Sequence, residues 1–426
     1  MDSDSDHNDL SDSDSDDSSA SMEEMWRNTL QMIKENDPAI TMLEEGGNYD
    51  YIQNMTDEEW EELGRDISKN THLTKVELNH RALNNNRVSF LFRGLTRSSS
   101  MKGLQLDNNH LSTIGVRSIV PFLQNATNLT ELNLSGNRLQ SEGFNFLLRA
   151  LRGSPIKGLA CRGCAIESIE IDIEHTPRHL RALNLTHNSI NTAGCRELAK
   201  LLQGGNATLK YLYPEDNKID DEGVEILVNA LRNNTTLTCL IVGGNDDISN
   251  QGKIKLLKLV NDISSIKATL QSNHTLSYLS VEPNDEQIQM LIDVATKINS
   301  DKRRNLEAAG REAAGREKVI WTQLNSETRA ELAELQGVNH SVYSEIDPLH
   351  LPEVLALVDD YHGQSELYMA LKDSIAGLMS TVNRKAYIRQ QIAYHQEKLK
   401  ELSTELVAIE AAEGDGGGRN KRHRAC

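Results

Sequence analysis

The chain has 426 residues, enough for more than one structural unit and a substantial buried core. Asp and Glu exceed Lys and Arg by 63 − 45 = 18, a balance that repels phosphate backbones and anionic lipid and argues against nucleic acid and membrane as partners. Aromatic residues are only 4% of the chain, so the core must be built from Leu, Ile, Val and Ala, which favours a repetitive aliphatic architecture.

The first 21 residues alternate Asp and Ser with almost no apolar content, and such a segment cannot bury enough surface to offset its ordering entropy. They are expected to be disordered. Ser3, Ser11, Ser13 and Ser21 each precede an acidic residue by three positions, which suits acidophilic kinases, although a solubilising tail is the plainer reading. Nothing here resembles a secretory signal, no stretch approaches the roughly 20 apolar residues of a membrane span, and five cysteines suit a reducing compartment. A cytoplasmic protein is expected. Residues 22–72 read as a helical cap, with Trp60, Leu63 and Ile67 on one helical face leading into Leu73.

From Leu73 a pattern recurs: LTKVELNHRAL, MKGLQLDNNHL at Met101, LTELNLSGNRL at Leu129, IKGLACRGCAI at Ile156, LRALNLTHNSI at Leu180, LKYLYPEDNKI at Leu209, LTCLIVGGNDDI at Leu237 and LSYLSVEPNDE at Leu276. The steps between starts are 28, 28, 27, 24, 29, 28 and 39. Leucines two apart point the same way from a short strand, and the residues between them point oppositely. Asn109, Asn137, Asn188, Asn217, Asn245 and Asn284 then stand where a side-chain amide can satisfy backbone groups that the turn leaves unpaired between copies. SEGFNFLLRAL, TAGCRELAKLL and DEGVEILVNAL return as helices. One unit cannot bury its apolar face alone, so residues 73–295 are expected to stack into an α/β solenoid, with parallel strands on the concave side and helices on the convex side.

These copies resemble leucine-rich repeats of the ribonuclease-inhibitor subtype. The resemblance implies a horseshoe that binds other proteins, as in that inhibitor, in nucleotide-binding immune receptors and in the Ran GTPase-activating protein. Three departures stand out. Arg81 replaces the first asparagine. Pro214 takes a strand leucine's place, so an amide donor is lost and a kink is expected. The fourth repeat is short, ends in ESIEIDIEHTPRH with Pro177, and should lack a clean helix and break the curvature.

Residues 296–382 carry helical patterning. This tail, together with WEELGRDISKNTHL, is similar to a group of uncharacterised algal repeat proteins. In 383–413, Ile388, Ile392, His395, Leu399, Leu402, Leu406 and Ile409 form a heptad seam, for which two readings stay open. One is a homodimeric coiled coil through 388–409, loosened by acid at His395; the other is packing on the chain's own helices. The end, 414–426, is a flexible basic tail with Arg419, Lys421, Arg422 and Arg424, read as a solvated end, with a nuclear-import signal as the alternative.

Cys161-x-x-Cys164 invites a metal or redox reading, yet the register puts Cys161 at a strand leucine and Cys164 at the asparagine. A pair also lacks two of zinc's usual four ligands. Histidines have no partner at ligand or triad spacing, and no phosphate loop is present. No catalytic residue, cofactor or metal is expected. The expected function is a protein-interaction scaffold whose partner-binding residues are the presented positions: Glu77, Gln105, Asp107, Glu131, Asn133, Arg162, Asn184, His187, Tyr211, Tyr213, Glu215, Asp216, Tyr278 and Glu282. Tyrosines beside carboxylates favour a partner with a basic surface. The alternative, implied only by resemblance to the Ran activator, is a GTPase-activating regulator using Arg162.

Overall fold

The computed structural model describes residues 15–44, 52, 54–80, 83–174, 177–203, 208–281, 286–300, 314–315, 317–319, 321–322 and 326–338. The chain divides into two units, Met1–Ile263 with Lys267–Lys318, and Ser264–Ile266 with Val319–Cys426. In the second unit the described residues include one long helix, Ser326–Gln336 (α11). The seam at 388–409, the basic tail, Arg81, Glu282 and Asn284 lie outside the described residues.

Among the described residues the first unit holds one sheet of nine parallel strands in chain order. Strands β1 (Met42–Leu43), β2 (Lys75–Glu77), β3 (Gly103–Gln105), β4 (Glu131–Asn133) and β5 (Gly158–Ala160) are followed by β6 (Ala182–Asn184), β7 (Tyr211–Tyr213), β8 (Cys239–Ile241) and β9 (Tyr278–Ser280). Parallel neighbours need a crossover, and helices supply most of them: α3 (Asn85–Gly94), α4 (Thr113–Asn125), α5 (Gln140–Ala150), α6 (Thr192–Leu202), α7 (Asp221–Leu231) and α8 (Asn250–Val260). The last crossover also holds a short helix, α9 (Ile266–Leu270), and α10 (Glu286–Ser300) follows β9. A strand in every repeat and a helix in most of them make the solenoid that the leucine spacing predicts.

Register is set by the middle leucine. Leu104, Leu132, Leu159, Leu183, Leu212, Leu240 and Leu279 pair in turn across the sheet, and none is more than 2% exposed. Each contributes roughly 1.5–3 kcal/mol by burial. Helices present their apolar face to the same layer, as Phe122 and Phe144 do with no exposure.

The asparagine column works in both directions. Asn137 donates from Nδ2 to the carbonyls of Leu106 and Leu134, both at 2.9 Å, and accepts the Leu111 amide at 3.0 Å. Asn109, Asn188, Asn217 and Asn245 repeat this between their own neighbours. At Cys164 a thiol stands in, reaching the Leu134 carbonyl at 3.2 Å. It offers no equivalent acceptor, and Gln140 N instead bonds Cys164 O at 2.9 Å. Helix α5 starts there without a side-chain cap, whereas Asn84, Ser112, Asn191, Asp220 and Ser249 cap their helices.

At Pro214 the strand keeps its residues, but β7 pairs β8 only at Tyr211 and Leu212, one pair fewer than most neighbours. The missing amide is the physical cause. Between β5 and β6 the described residues contain no helix, as the Pro177 repeat predicts. At the N-terminal end, α1 (Ser15–Lys34) begins ahead of the boundary at residue 21 drawn from composition. Helix α2 (Asp57–Lys69) opens with a capping box between Thr56 and Glu59 and buries Trp60, Leu63 and Ile67. The sheet begins before the first repeat motif, because Met42–Leu43 pairs with Lys75–Val76.

Candidate functional site

The presented strand residues form two columns, at the third and fifth positions of each repeat. The first column runs Lys75, Gly103, Glu131, Gly158, Ala182, Tyr211, Cys239 and Tyr278; the second runs Glu77, Gln105, Asn133, Ala160, Asn184, Tyr213, Ile241 and Ser280. Adjacent strands are about 4.8 Å apart, so these columns place the expected residues into two clusters separated by small side chains.

The C-terminal cluster is aromatic. Tyr211, Cys239 and Tyr278 are in register, and the two tyrosines are 41% and 52% exposed. They stand about 10 Å apart, two strand spacings. Tyr213 is half-buried, and burial, followed by its hydrogen bond and proximity to the Cys239 thiol, pushes its hydroxyl up to about 12. Burial also raises the Cys239 thiol. Ile241 completes this half-apolar shelf.

The carboxylates lie beyond the strand ends. Glu215 occupies the first turn position and Asp216 the next, with φ of 51°. His187 holds the same place one repeat earlier, with φ of 56°, and its Nδ1 is 2.9 Å from Asp216 Oδ2. Both were expected as strand positions; the structure places them in left-handed turns. The same column holds His80, Asn108, Gly136, Gly163 and Gly244, all at positive φ.

The N-terminal cluster is polar and largely self-satisfied. Asp107 accepts Asn133 Nδ2 at 2.9 Å on one oxygen and Asn108 Nδ2 at 3.0 Å on the other. Glu77 pairs with Lys75 at 2.5 Å. Gln105 is half-buried and Glu131 exposed. Between the clusters, Asn184 turns its carbonyl oxygen to Thr186 N at 3.0 Å, while Arg162 is exposed in a turn.

Sequence reasoning missed Cys239 and Ile241, and it missed the second position of each repeat, where Lys102, Lys157, Arg181 and Lys210 stand. The signal was present in the repeat strings, in phase. Cys161 and Cys164 are both buried free thiols within the repeat register, and their mutual hydrogen bond, with burial, pushes Cys161 up. Among the described residues no three His, Cys, Asp or Glu side chains gather as a metal site requires, and no helix is long and apolar enough to cross a membrane.

A leucine-rich repeat family model matches residues 125–144, 176–199 and 233–257. Ribonuclease inhibitor of Sus scrofa is 26% identical over 198 residues, 45% of this chain and 43% of that protein. NACHT, LRR and PYD domains-containing protein 5 of Homo sapiens is 24% identical over 212 residues, 46% of this chain and 17% of its own. Among solved structures, leiomodin-1 actin-binding site 2 covers 66% of this chain and 91% of that chain, at 14% identity and a TM-score of 0.23. The chain spans under half the length of the curated relatives described.

Proposed function

Starting from a leucine-rich repeat protein of the ribonuclease-inhibitor-like type, which this chain is, we propose a non-enzymatic scaffold that binds a protein partner on the concave strand face. The observation that carries this reading is the pair Tyr211 and Tyr278, left substantially exposed on either side of Cys239. Aromatic side chains bury large areas at little entropic cost, which is why they anchor interfaces. Glu215 and Asp216 beside them select a partner with a basic surface. A reducing, cytoplasmic setting is part of the same proposal, in keeping with free thiols at Cys161, Cys164, Cys195 and Cys239.

The test is affinity capture with the full chain, identification of the captured protein, and a direct titration with that protein purified. Replacing Tyr211, Tyr213, Glu215 and Asp216 together should abolish binding and leave the melting temperature nearly unchanged. Undiminished binding would move the site off this patch.

A further inference from the structure

The second position of each repeat makes a column of its own at the N-terminal ends of the strands. Its backbone is a continuous ladder. Thr130 O accepts the amides of Lys157 and Gly158, Lys157 O those of Arg181 and Ala182, and Arg181 O those of Lys210 and Tyr211, all between 2.7 and 3.0 Å. The column therefore repeats at the strand pitch of about 4.8 Å. Lys157, Arg181 and Lys210 immediately precede three consecutive strands, β5 to β7.

None of these three cations forms an ion pair with the described residues. Elsewhere on the surface cations do find carboxylates, as in Lys34–Glu62, Arg117–Glu142, Arg149–Glu170 and Lys255–Glu225. In a chain whose net charge is −18, the row is a local reversal of sign. Like charges on neighbouring strands repel, so the row weakens the isolated fold and becomes favourable once an anion lies along it. Lys157 and Arg181 are exposed and Lys210 is half-buried, and the neighbouring third-position column is small at Gly158 and Ala182.

We propose that Lys157, Arg181 and Lys210 form a docking row for an acidic segment of a protein partner, whose carboxylates lie along the N-terminal strand ends. The ligand chemistry is opposite to that of the tyrosine patch, and Lys210 adjoins Tyr211 in the chain. The strand face is thereby dipolar, with cations at one edge and Glu215 and Asp216 at the other. A partner bearing acid at one end of its contact and base at the other is held in a single orientation.

The experiment titrates the full chain against a short fluorescent glutamate-rich peptide at low salt, read by anisotropy. The triple variant Lys157→Ser, Arg181→Ser, Lys210→Ser should bind at least about tenfold more weakly and lose most of its salt dependence. A charge-matched triple elsewhere, Arg152→Ser, Lys218→Ser, Lys267→Ser, should bind like the parent. Equal loss in both triples would overturn the row, since net charge alone would then explain binding. A single-stranded oligonucleotide of equal charge competing as well as the peptide would overturn the choice of an acidic protein segment. Peptide binding that appears only after removal of residues 1–21 would overturn the partner in favour of the chain's own acidic segment. The probe has no aromatic or basic residue, so failure here leaves the tyrosine-patch reading standing, and the converse also holds.

Discussion

His187 Nδ1 meets Asp216 Oδ2 at 2.9 Å across two successive turns that are both left-handed. The arrangement has a twin earlier in the array, where Asn108 Nδ2 lies 3.0 Å from His80 Nε2 in the same column. In each case the next residue in the column is glycine, Gly244 or Gly136, because the Asp216 carboxylate and the Asn108 amide fill the space a Cβ would need. A left-handed residue other than glycine costs roughly 1–2 kcal/mol, and strain of this kind collects at functional sites.

Asp216→Gly should therefore hold or raise the melting temperature, because it relieves the left-handed backbone, while binding of the partner falls through loss of the carboxylate. Thermal melts run beside a binding titration check both halves. A lower melting temperature with unchanged affinity would mean that Asp216 serves the fold alone.

Two glycines of that column separate conformational strain from crowding. Gly163→Ala, at φ of 61° with nothing within 4 Å of the new Cβ, should lose about 1 kcal/mol. Gly244→Ala, at φ of 68°, must also expel the Asp216 carboxylate and should lose more. Urea denaturation ranks the two, and equal losses would show that the carboxylate swings away freely.

On β4 and the residue after it, neighbouring side chains point oppositely. Leu134 is fully buried, so Leu134→Asp places an unpaired charge in the core and should cost several kcal/mol or unfold the repeat, of the order seen for buried charges. Asn133→Asp stays at the surface and only exchanges the 2.9 Å bond to Asp107 for carboxylate repulsion, a loss of about 1 kcal/mol. Circular-dichroism melts should show the first far more damaged, and matching curves would refute the register.

Tyr213 sets an alkaline limit. Its folded hydroxyl ionises at about 12, against about 10 in an unfolded chain. The unfolded state ionises first, so this contribution to stability is complete below pH 10 and is lost as pH rises towards 12. Spectroscopic titration of tyrosinate should show a component near 12 that Tyr213→Phe removes. A profile unchanged by that substitution would place the residue in ordinary solvent.

The solenoid was readable because burial of one leucine per strand forces a period on the sequence, and no other arrangement places Leu104, Leu132 and Leu159 in phase. The first strand was not readable. Met42–Leu43 is too short to carry a period and is held by its neighbour, with Thr74 N bonding Thr41 O at 2.7 Å. His187 and Asp216 were assigned to the presented surface, but their turn conformation was missed, although glycines at the same place in three other repeats pointed to it. The cationic row was overlooked because alternation from the leucines marks the third and fifth positions as presented. Strands of only three residues leave the second position at the sheet's edge as well.

The thiol at Cys164 changes how the array comes apart. A solenoid's stability is a sum of repeat and nearest-neighbour contributions, and the amide column couples each repeat to the next. Asn109 and Asn137 form one coupled run; Asn188, Asn217 and Asn245 form another. Between them the Cys164 thiol makes a single bond to the preceding repeat, at the Leu134 carbonyl, and among the described residues no helix backs β5 before β6. Unfolding should propagate within each run and pause at this joint, so the array melts as two blocks. Hydrogen exchange would register them as separate protection classes, with a fault line between β4 and β6 where one half can open while the other stays closed.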